Sequence, residues 1–393
     1  MSAPGRGKIP VILASSGTTR GGTERMVDAL ARGLDPSRHQ VWIVLSPAPG
    51  VDEWADDLRR AGFPVERLPE ITNRLQGGRA WRWLRFLRRH KDALLHVHHT
   101  YLAADRYLVP VAHLAGQRAV VVTEHSSVGR AHSAGQKFLK GWERSRTDIT
   151  VAVSHEVARR LTSEFEIPAE LIDLVPNGVA APSTPAPGAR ERLRAAWGVP
   201  PASRVWLCVA RLEPDKGVDL LLQAWRLVEA PRPKLVIVGD GQERAALERQ
   251  AKEMELMADV HFVGAVPDAR PLYHAADGFA LCSRREGMPV TLLEAMAAGL
   301  PCVVSDVGGV EEASERGRCA RVVPPEDARA FADAIVGLEH DRDTARALAE
   351  RGSRRALGHF GEDRMVDAYE ALYVRALRLA HQASAAGSTS VAA

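Results

Sequence analysis

The sequence predicts an α/β protein built in two domains, and three observations carry that expectation. Short apolar runs with strand-like composition alternate with stretches in which apolar residues recur at helical spacing. The alternation breaks once, at a Pro/Ala/Ser-rich stretch near residues 180–188, and then restarts. At 393 residues the chain is too long for one ordinary core. The expected plan is a first domain over 1–180, a linker over 181–198 and a second domain over 199–360. A closing helix over 361–380 and a disordered Ala/Ser/Gly/Thr-rich tail over 381–393 complete it.

Composition narrows the function classes. A formal charge of +3 gives no net electrostatic case for nucleic acid. The four cysteines, Cys208, Cys282, Cys302 and Cys319, show no CxxC or metal-ligand spacing. Buried free thiols in a reducing compartment are therefore expected. The first apolar run, residues 9–14, reads as a strand and is too short for a signal peptide. No run approaches the ~18–20 apolar residues of a membrane span, so a cytoplasmic protein is expected.

In the first domain, strand 9–14 leads into a polar loop with Gly17, Gly21 and Gly22, and Thr23 is a cap candidate for the helix that follows. The loop is neither GxGxxG nor a GK[ST] P-loop, so neither phosphate fingerprint is supported. Residues 41–45 form a second strand and 52–61 a helix. Residues 79–91 form a basic helix carrying Trp81, Trp83, Leu84, Phe86 and Leu87. Such a helix suits an anionic membrane face, but a sheet-covering helix with solvated arginines is the expectation, and membrane association is the weaker alternative. Strand 93–99 ends in His98 and His99, and strand 119–124 ends beside His125. Alternation points His98 and His99 apart, with no adjacent carboxylate or Cys, so a cleft-lining role on the acceptor side fits better than a metal. Residues 150–153 give another strand, Ser154 caps the next helix, and an Asn177-Gly178 turn closes the domain.

The second domain holds two constellations. Strand 205–209 runs into Arg211-Leu212-Glu213-Pro214-Asp215-Lys216-Gly217 and then an amphipathic helix. Arg211 and Lys216 thus share a strand-to-helix loop, where α/β sheets bind ligands. The chain has seven lysines among 52 basic residues, which makes a Lys beside a Gly here notable. Strand 234–238 is followed by the bends Gly239 and Gly241. Strand 278–282 leads through Glu286, Gly287 and Met288 to Pro289, read as the first helical position. The amides of Val290 and Thr291 then make an anion site without any side chain. Glu286 and Glu294 bracket it, and a diphosphate flanked by ribose and hexose would use all three features.

These residues resemble the retaining glycosyltransferases of family 4, whose architecture, GT-B, has two facing Rossmann-like domains. The Arg-Leu-x-x-x-Lys-Gly loop, the Glu-x7-Glu segment, the run Leu-Leu-Glu-Ala-Met-Ala-Ala-Gly-Leu-Pro and the Gly21-Gly22 loop carry the resemblance over nearly the whole chain. It implies that Gly21 and Gly22 face the donor phosphate and sugar, that His125 lies beside the donor sugar, and that backbone around Val266 holds the base. It also implies that helix 361–380 crosses back to the first domain. The donor-binding set is then Gly21, Gly22, Gly239, Gly241, Val266, Gly287, Met288, Pro289, Val290, Thr291 and Glu294. Arg211, Lys216, Glu286 and His125 are the catalytic candidates.

The resemblance implies transfer with retention from a nucleoside-diphosphate sugar, with a UDP-sugar expected ahead of a GDP-sugar. No cofactor or metal is expected. The single Asp-x-Asp triplet, Asp341-Arg342-Asp343, sits on a charged late helix and reads as surface, while Arg211, Lys216 and the helix start offer the positive charge. An epimerase or phosphorylase on the same architecture, or a non-catalytic sugar-nucleotide-binding protein, are the competing readings. The acceptor and the oligomeric state are left open by the sequence.

Overall fold

A computed structural model describes residues 7–390 apart from 74, 102–104, 106 and 127–133, with backbone alone at 134, 136 and 383–390. The chain divides into two compact units, Met1–Gly178 with Glu362–Ala393, and Val179–Gly361.

The first unit is a seven-stranded sheet of β1 (Ile9–Ser15), β2 (His39–Leu45), β3 (Val65–Arg67), β4 (Leu94–His99), β5 (Ala119–Glu124), β6 (Ile149–Ala152) and β7 (Ile172–Leu174). Their order is β3-β2-β1-β4-β5-β6-β7, and every pairing is parallel. Parallel strands are covered on both faces, which is why β4 and β5 are buried along their whole length. The basic helix is Gly77–Arg89. It turns Trp83 and Leu87 into the core beside Ile12, Leu95 and Val97 and leaves Trp81 57% exposed, so it covers the sheet.

The helix Glu362–Ser390 belongs to this unit and packs on the helix Gly22–Gly33 and on β5. Tyr373 bonds His96 at 2.7 Å, His96 bonds Thr123 at 2.8 Å, and Thr123 bonds Tyr369 at 3.0 Å. The disordered tail expected over 381–393 is corrected as far as Ser390, for the helix continues through it. Its alanines favour helix, which a reading from low complexity discounts. Residues 391–393 lie outside the described residues.

The second unit holds β8 (Val205–Val209), β9 (Lys234–Val238), β10 (Val260–Gly264), β11 (Gly278–Leu281), β12 (Cys302–Ser305) and β13 (Arg321–Val323). The order is β10-β9-β8-β11-β12-β13, again all parallel. Trp206, Trp225 and Phe331 anchor its core. The linker expected over 181–198 is corrected in its second half. Residues Ala189–Ala196 form a helix, rich in good helix formers, and Arg194 is buried. Its guanidinium donates to the carbonyls of Ala275 at 3.0 Å and Ser203 at 2.8 Å and pairs with Asp277 at 2.7 Å, so the segment is part of the second unit.

In each sheet the strand order reverses once, between β1 and β4 and between β8 and β11. The loops that leave these strands diverge to opposite faces and open a crevice at the strands' carboxyl ends. No helix among the described residues is long and apolar enough to cross a membrane. All four cysteines are buried free thiols.

Candidate active site

The crevice of the second unit is framed by the loop after β8 and the turn after β11. Gly217 closes the first at φ +61°, where a Cβ would stand 2.1 Å from the carbonyl oxygen of Cys282. No other residue lets the two segments meet so closely. Lys216 is thereby set against Glu286, with Nζ 2.8 Å from Oε1, and the Ser283 hydroxyl donates to the same oxygen at 2.7 Å. The loop after β12 supports the turn from behind. Gly308, at φ +57°, leaves no room for a Cβ beside the carbonyl of Glu286, and the Gly309 amide donates to the Gly287 carbonyl at 2.9 Å.

Arg211 stands exposed on the same loop as Lys216. Gly239 and Gly241 press on the carbonyls of Ala210 and Leu212, so both are required by contact with this loop's backbone. The Leu212 amide donates to Asp240 and the Glu243 amide to Leu212, each at 2.9 Å. Val266 is half-buried in the loop after β10.

The helix after the turn spans Val290–Ala297, and Pro289 is its N-cap, one position before the first helical residue expected for it. The chemistry is unchanged, because the amides of Val290 and Thr291 still lack intrahelical acceptors. Gly287, Met288 and Pro289 are buried under the turn, and Thr291 is half-buried. Glu294 is 6% exposed and accepts a hydrogen bond from the Tyr273 hydroxyl at 2.7 Å. Lys216 and Glu286 thus meet where the loop after β8, which also carries Arg211, lies against the turn that leads into the helix start, an arrangement able to bind an anion and neutralise charge on it.

The first unit holds the remaining candidates separately. Gly21 is the N-cap of the helix Gly22–Gly33, which corrects the expectation of Thr23. Glu24 takes over the capping: its carboxylate accepts from the Gly21 amide at 3.0 Å and from the Ser15 hydroxyl at 2.9 Å. The spacing of Glu24 from Gly21 is that of a capping box, a signal the sequence carried. His98 and His99 are both buried at the carboxyl end of β4, not exposed on the surface of the unit. His98 Nδ1 lies 2.9 Å from His125 Nε2. His99 Nδ1 lies 2.9 Å from Glu124 Oε1, and Glu143 of the helix Ala134–Arg144 is close by, so carboxylates do stand beside it.

Burial pushes the His125 imidazole down to about 4, although the charge of Glu124 opposes this, so the ring is neutral near pH 7. Burial also lowers His98. For His99 burial acts the same way and is the largest single effect, but the charges of Glu124 and Glu143 and the hydrogen bond with Glu124 together outweigh it and the ring is raised. His99, Glu124 and Glu143 have ligand atoms within 4.8 Å of one another, the one such trio among the described residues. The Lys140 ammonium stands among them, bonded to Glu124, 2.9 Å from Glu143 and 3.3 Å from His99. It already supplies the cation. Asp341 of the Asp-x-Asp triplet caps the helix Arg342–His359 through the Thr344 amide, and Asp343 is exposed.

Residues 20–181 match the protein family described as Glycosyltransferase Family 4, and residues 189–355 match Glycosyl transferases group 1. The GDP-mannose-dependent alpha-(1-6)-phosphatidylinositol monomannoside mannosyltransferase of Mycobacterium tuberculosis is 32% identical over 352 residues, 85% of this chain and 89% of that protein. The D-inositol 3-phosphate glycosyltransferase of Nocardia farcinica is 30% identical over 339 residues, covering 80% and 71%. Among solved structures, Anabaena Alr3699/HepE in complex with UDP-glucose superposes with a TM-score of 0.80 at 20% identity, over 93% of this chain and 100% of that one. Sucrose-phosphate synthase from Thermosynechococcus elongatus gives 0.78 at 22% identity, over 94% and 99%.

Proposed function

This chain belongs to the family 4 glycosyltransferases of GT-B fold, enzymes that use nucleotide sugars, and we propose that it moves a hexose with retention of configuration to a hydroxyl acceptor without a metal. In that reaction the bond from the anomeric carbon to the diphosphate breaks and a bond to the acceptor oxygen forms. Nucleoside diphosphate and the hydroxyl proton are released. The observation that carries the reading is the Lys216–Glu286 contact at 2.8 Å in the crevice between β8 and β11, beside the helix start at Pro289.

Each group has a role in the proposal. Arg211, Lys216 and the amides of Val290 and Thr291 take the diphosphate and stabilise the charge that develops as it leaves. A cation ~4 Å from a phosphate contributes up to about 4 kcal/mol at an effective dielectric of ~20, before desolvation. Glu294 holds the ribose hydroxyls and Glu286 the hexose. The place of His125 at the donor sugar rests on the resemblance. Its neutral ring would serve as a hydrogen-bonding partner. The buried free thiols suit a reducing, cytoplasmic setting.

The donors to test are UDP-glucose and GDP-mannose. The nucleotide sugar bound should raise the melting temperature, and slow release of nucleoside diphosphate should follow even without an acceptor. Binding of every nucleotide sugar without release would favour a sensor over a transferase. An acceptor screen with the better donor then identifies the second substrate.

A further inference from the structure

Beyond the Lys216–Glu286 pair itself, the side chain of Arg284 ties the turn that carries Glu286 to the loop that carries Lys216. Its guanidinium donates to the Pro214 carbonyl at 2.7 Å and, as a fork, to the two carboxylate oxygens of Asp219 at 2.7 and 2.8 Å. Its Nε donates to Glu326 at 2.6 Å, and its own backbone amide donates to the Asp215 carbonyl at 2.8 Å. Pro214 and Asp215 precede Lys216, and Asp219 follows it in the first turn of the helix Val218–Leu227. The lysine is thus bracketed from both sides by residues that Arg284 holds. A bidentate guanidinium–carboxylate pair fixes angle as well as distance, which a single ammonium does not. The hydrogen bonds it donates to Asp219 raise the guanidinium further above its ordinary range, so it stays charged at any working pH.

We propose that Arg284 is a positioning residue, which sets the Lys216 ammonium and the Glu286 carboxylate at their separation by locking the two segments together. The inference rests on the reading that Lys216 and Glu286 act on the donor. Arg284 makes no contact with substrate in this scheme. Its loss therefore lowers turnover by more than it lowers affinity for the bare nucleotide, which Glu294, Arg211 and the backbone amides still hold in this scheme.

The test compares Arg284→Gln, Arg284→Lys, Asp219→Asn and Lys216→Ala. Each is titrated with UDP and GDP by calorimetry and assayed for nucleoside diphosphate release from UDP-glucose and GDP-mannose. Arg284→Gln should lower kcat by up to about 100-fold, the scale on which a ~1 Å misplacement acts, with no matching loss of affinity for free nucleotide. Arg284→Lys keeps the charge but not the fork, so it should not restore kcat. Asp219→Asn should repeat the pattern more mildly, and it decides the matter if Arg284→Gln does not fold. Unchanged kcat in both Arg284→Gln and Asp219→Asn, with Lys216→Ala impaired, overturns this inference alone. A loss of nucleotide affinity equal to the loss of kcat/KM makes Arg284 a phosphate ligand and also overturns it. Unchanged kcat in Lys216→Ala overturns the functional reading, and this inference with it.

Discussion

Lys216 Nζ and Glu286 Oε1 lie 2.8 Å apart, although 70 residues separate them in the chain. The reversal of strand order between β8 and β11 makes them neighbours. The carboxylate holds the ammonium in place, and in the proposed reaction the diphosphate would share it. Lys216→Ala should therefore reduce kcat by on the order of 10²–10³, as for removal of one preorganised charge stabiliser. Its melting temperature should hardly change, because the pair is partly solvated and such pairs contribute little. Unaltered kcat removes Lys216 from the mechanism.

Lys140 provides the contrast. Its ammonium is buried among Glu124, Glu143 and His99. Removing one partner of a buried ion pair leaves charge without compensation and typically costs about 3–5 kcal/mol. Lys140→Met should accordingly lower stability by that order in chemical denaturation. With an ammonium in that place, neither stability nor turnover should respond to EDTA. Activity lost to EDTA and restored by Mn²⁺ or Mg²⁺ would overturn the metal-free reading.

His125 carries a pH prediction. Its pKa of about 4 in the folded protein lies below the ordinary 6.5, so between those values the unfolded chain binds the extra proton. Its contribution to stability is thus complete above about pH 6.5 and is lost as the pH falls toward 4. Asp105, raised to about 6 mainly by burial, slopes the other way between 3.8 and 6, so the comparison must isolate the histidine. The stability difference between the wild type and His125→Gln should shrink on acidification through this window. NMR should show the His125 ring neutral at pH 6. An imidazolium there would overturn the assignment.

The helix Gly77–Arg89 places Trp83 and Leu87 in the core, while Trp81 lies outside with the Arg85 guanidinium 5.4 Å from its ring. Its arginines suit water as well as lipid. The protein should not float with anionic liposomes at physiological salt. Flotation at low salt that is reversed by high salt would revive the membrane reading.

Much of the fold was legible because parallel strands buried on both faces leave continuous apolar runs, as in β5, β9 and β11. Ser154 was legible as a cap, and its hydroxyl accepts from the Val157 amide at 3.2 Å. What escaped is long-range. Glu124 and Glu143 reach His99 from a neighbouring strand and a separate helix, and no local spacing announces them. Tyr273 is likewise joined to Glu294 only by the packing of the short helix Arg270–Tyr273 on the helix Val290–Ala297. The linker and tail failed for the opposite reason. Low-complexity composition was weighed there ahead of the helix propensity of the alanines in Ala189–Ala196 and Glu362–Ser390.

The two carboxylates of the site should separate by experiment. Glu294 lies within the helix that follows Pro289, buried and bonded to Tyr273, whereas Glu286 precedes that helix and bonds Lys216. Assigned to the ribose, Glu294 should matter for any nucleoside diphosphate. Assigned to the hexose, Glu286 should matter only when the sugar is present. A hydrogen bond from a hydroxyl to a carboxylate contributes roughly 1.5–3 kcal/mol. Glu294→Ala should therefore weaken UDP or GDP as much as the intact sugar nucleotide. Tyr273→Phe should move affinity in the same direction by a smaller amount, since it removes a hydrogen bond that orients Glu294 and leaves the charge. Glu286→Ala should leave free-nucleotide affinity nearly intact while weakening the sugar nucleotide and lowering kcat, because its contact lies beside the reacting carbon. Calorimetry of the three variants with nucleoside diphosphate and with UDP-glucose or GDP-mannose decides the matter. Equal loss of bare nucleotide in Glu286→Ala and Glu294→Ala would show that Glu286 does not read the sugar.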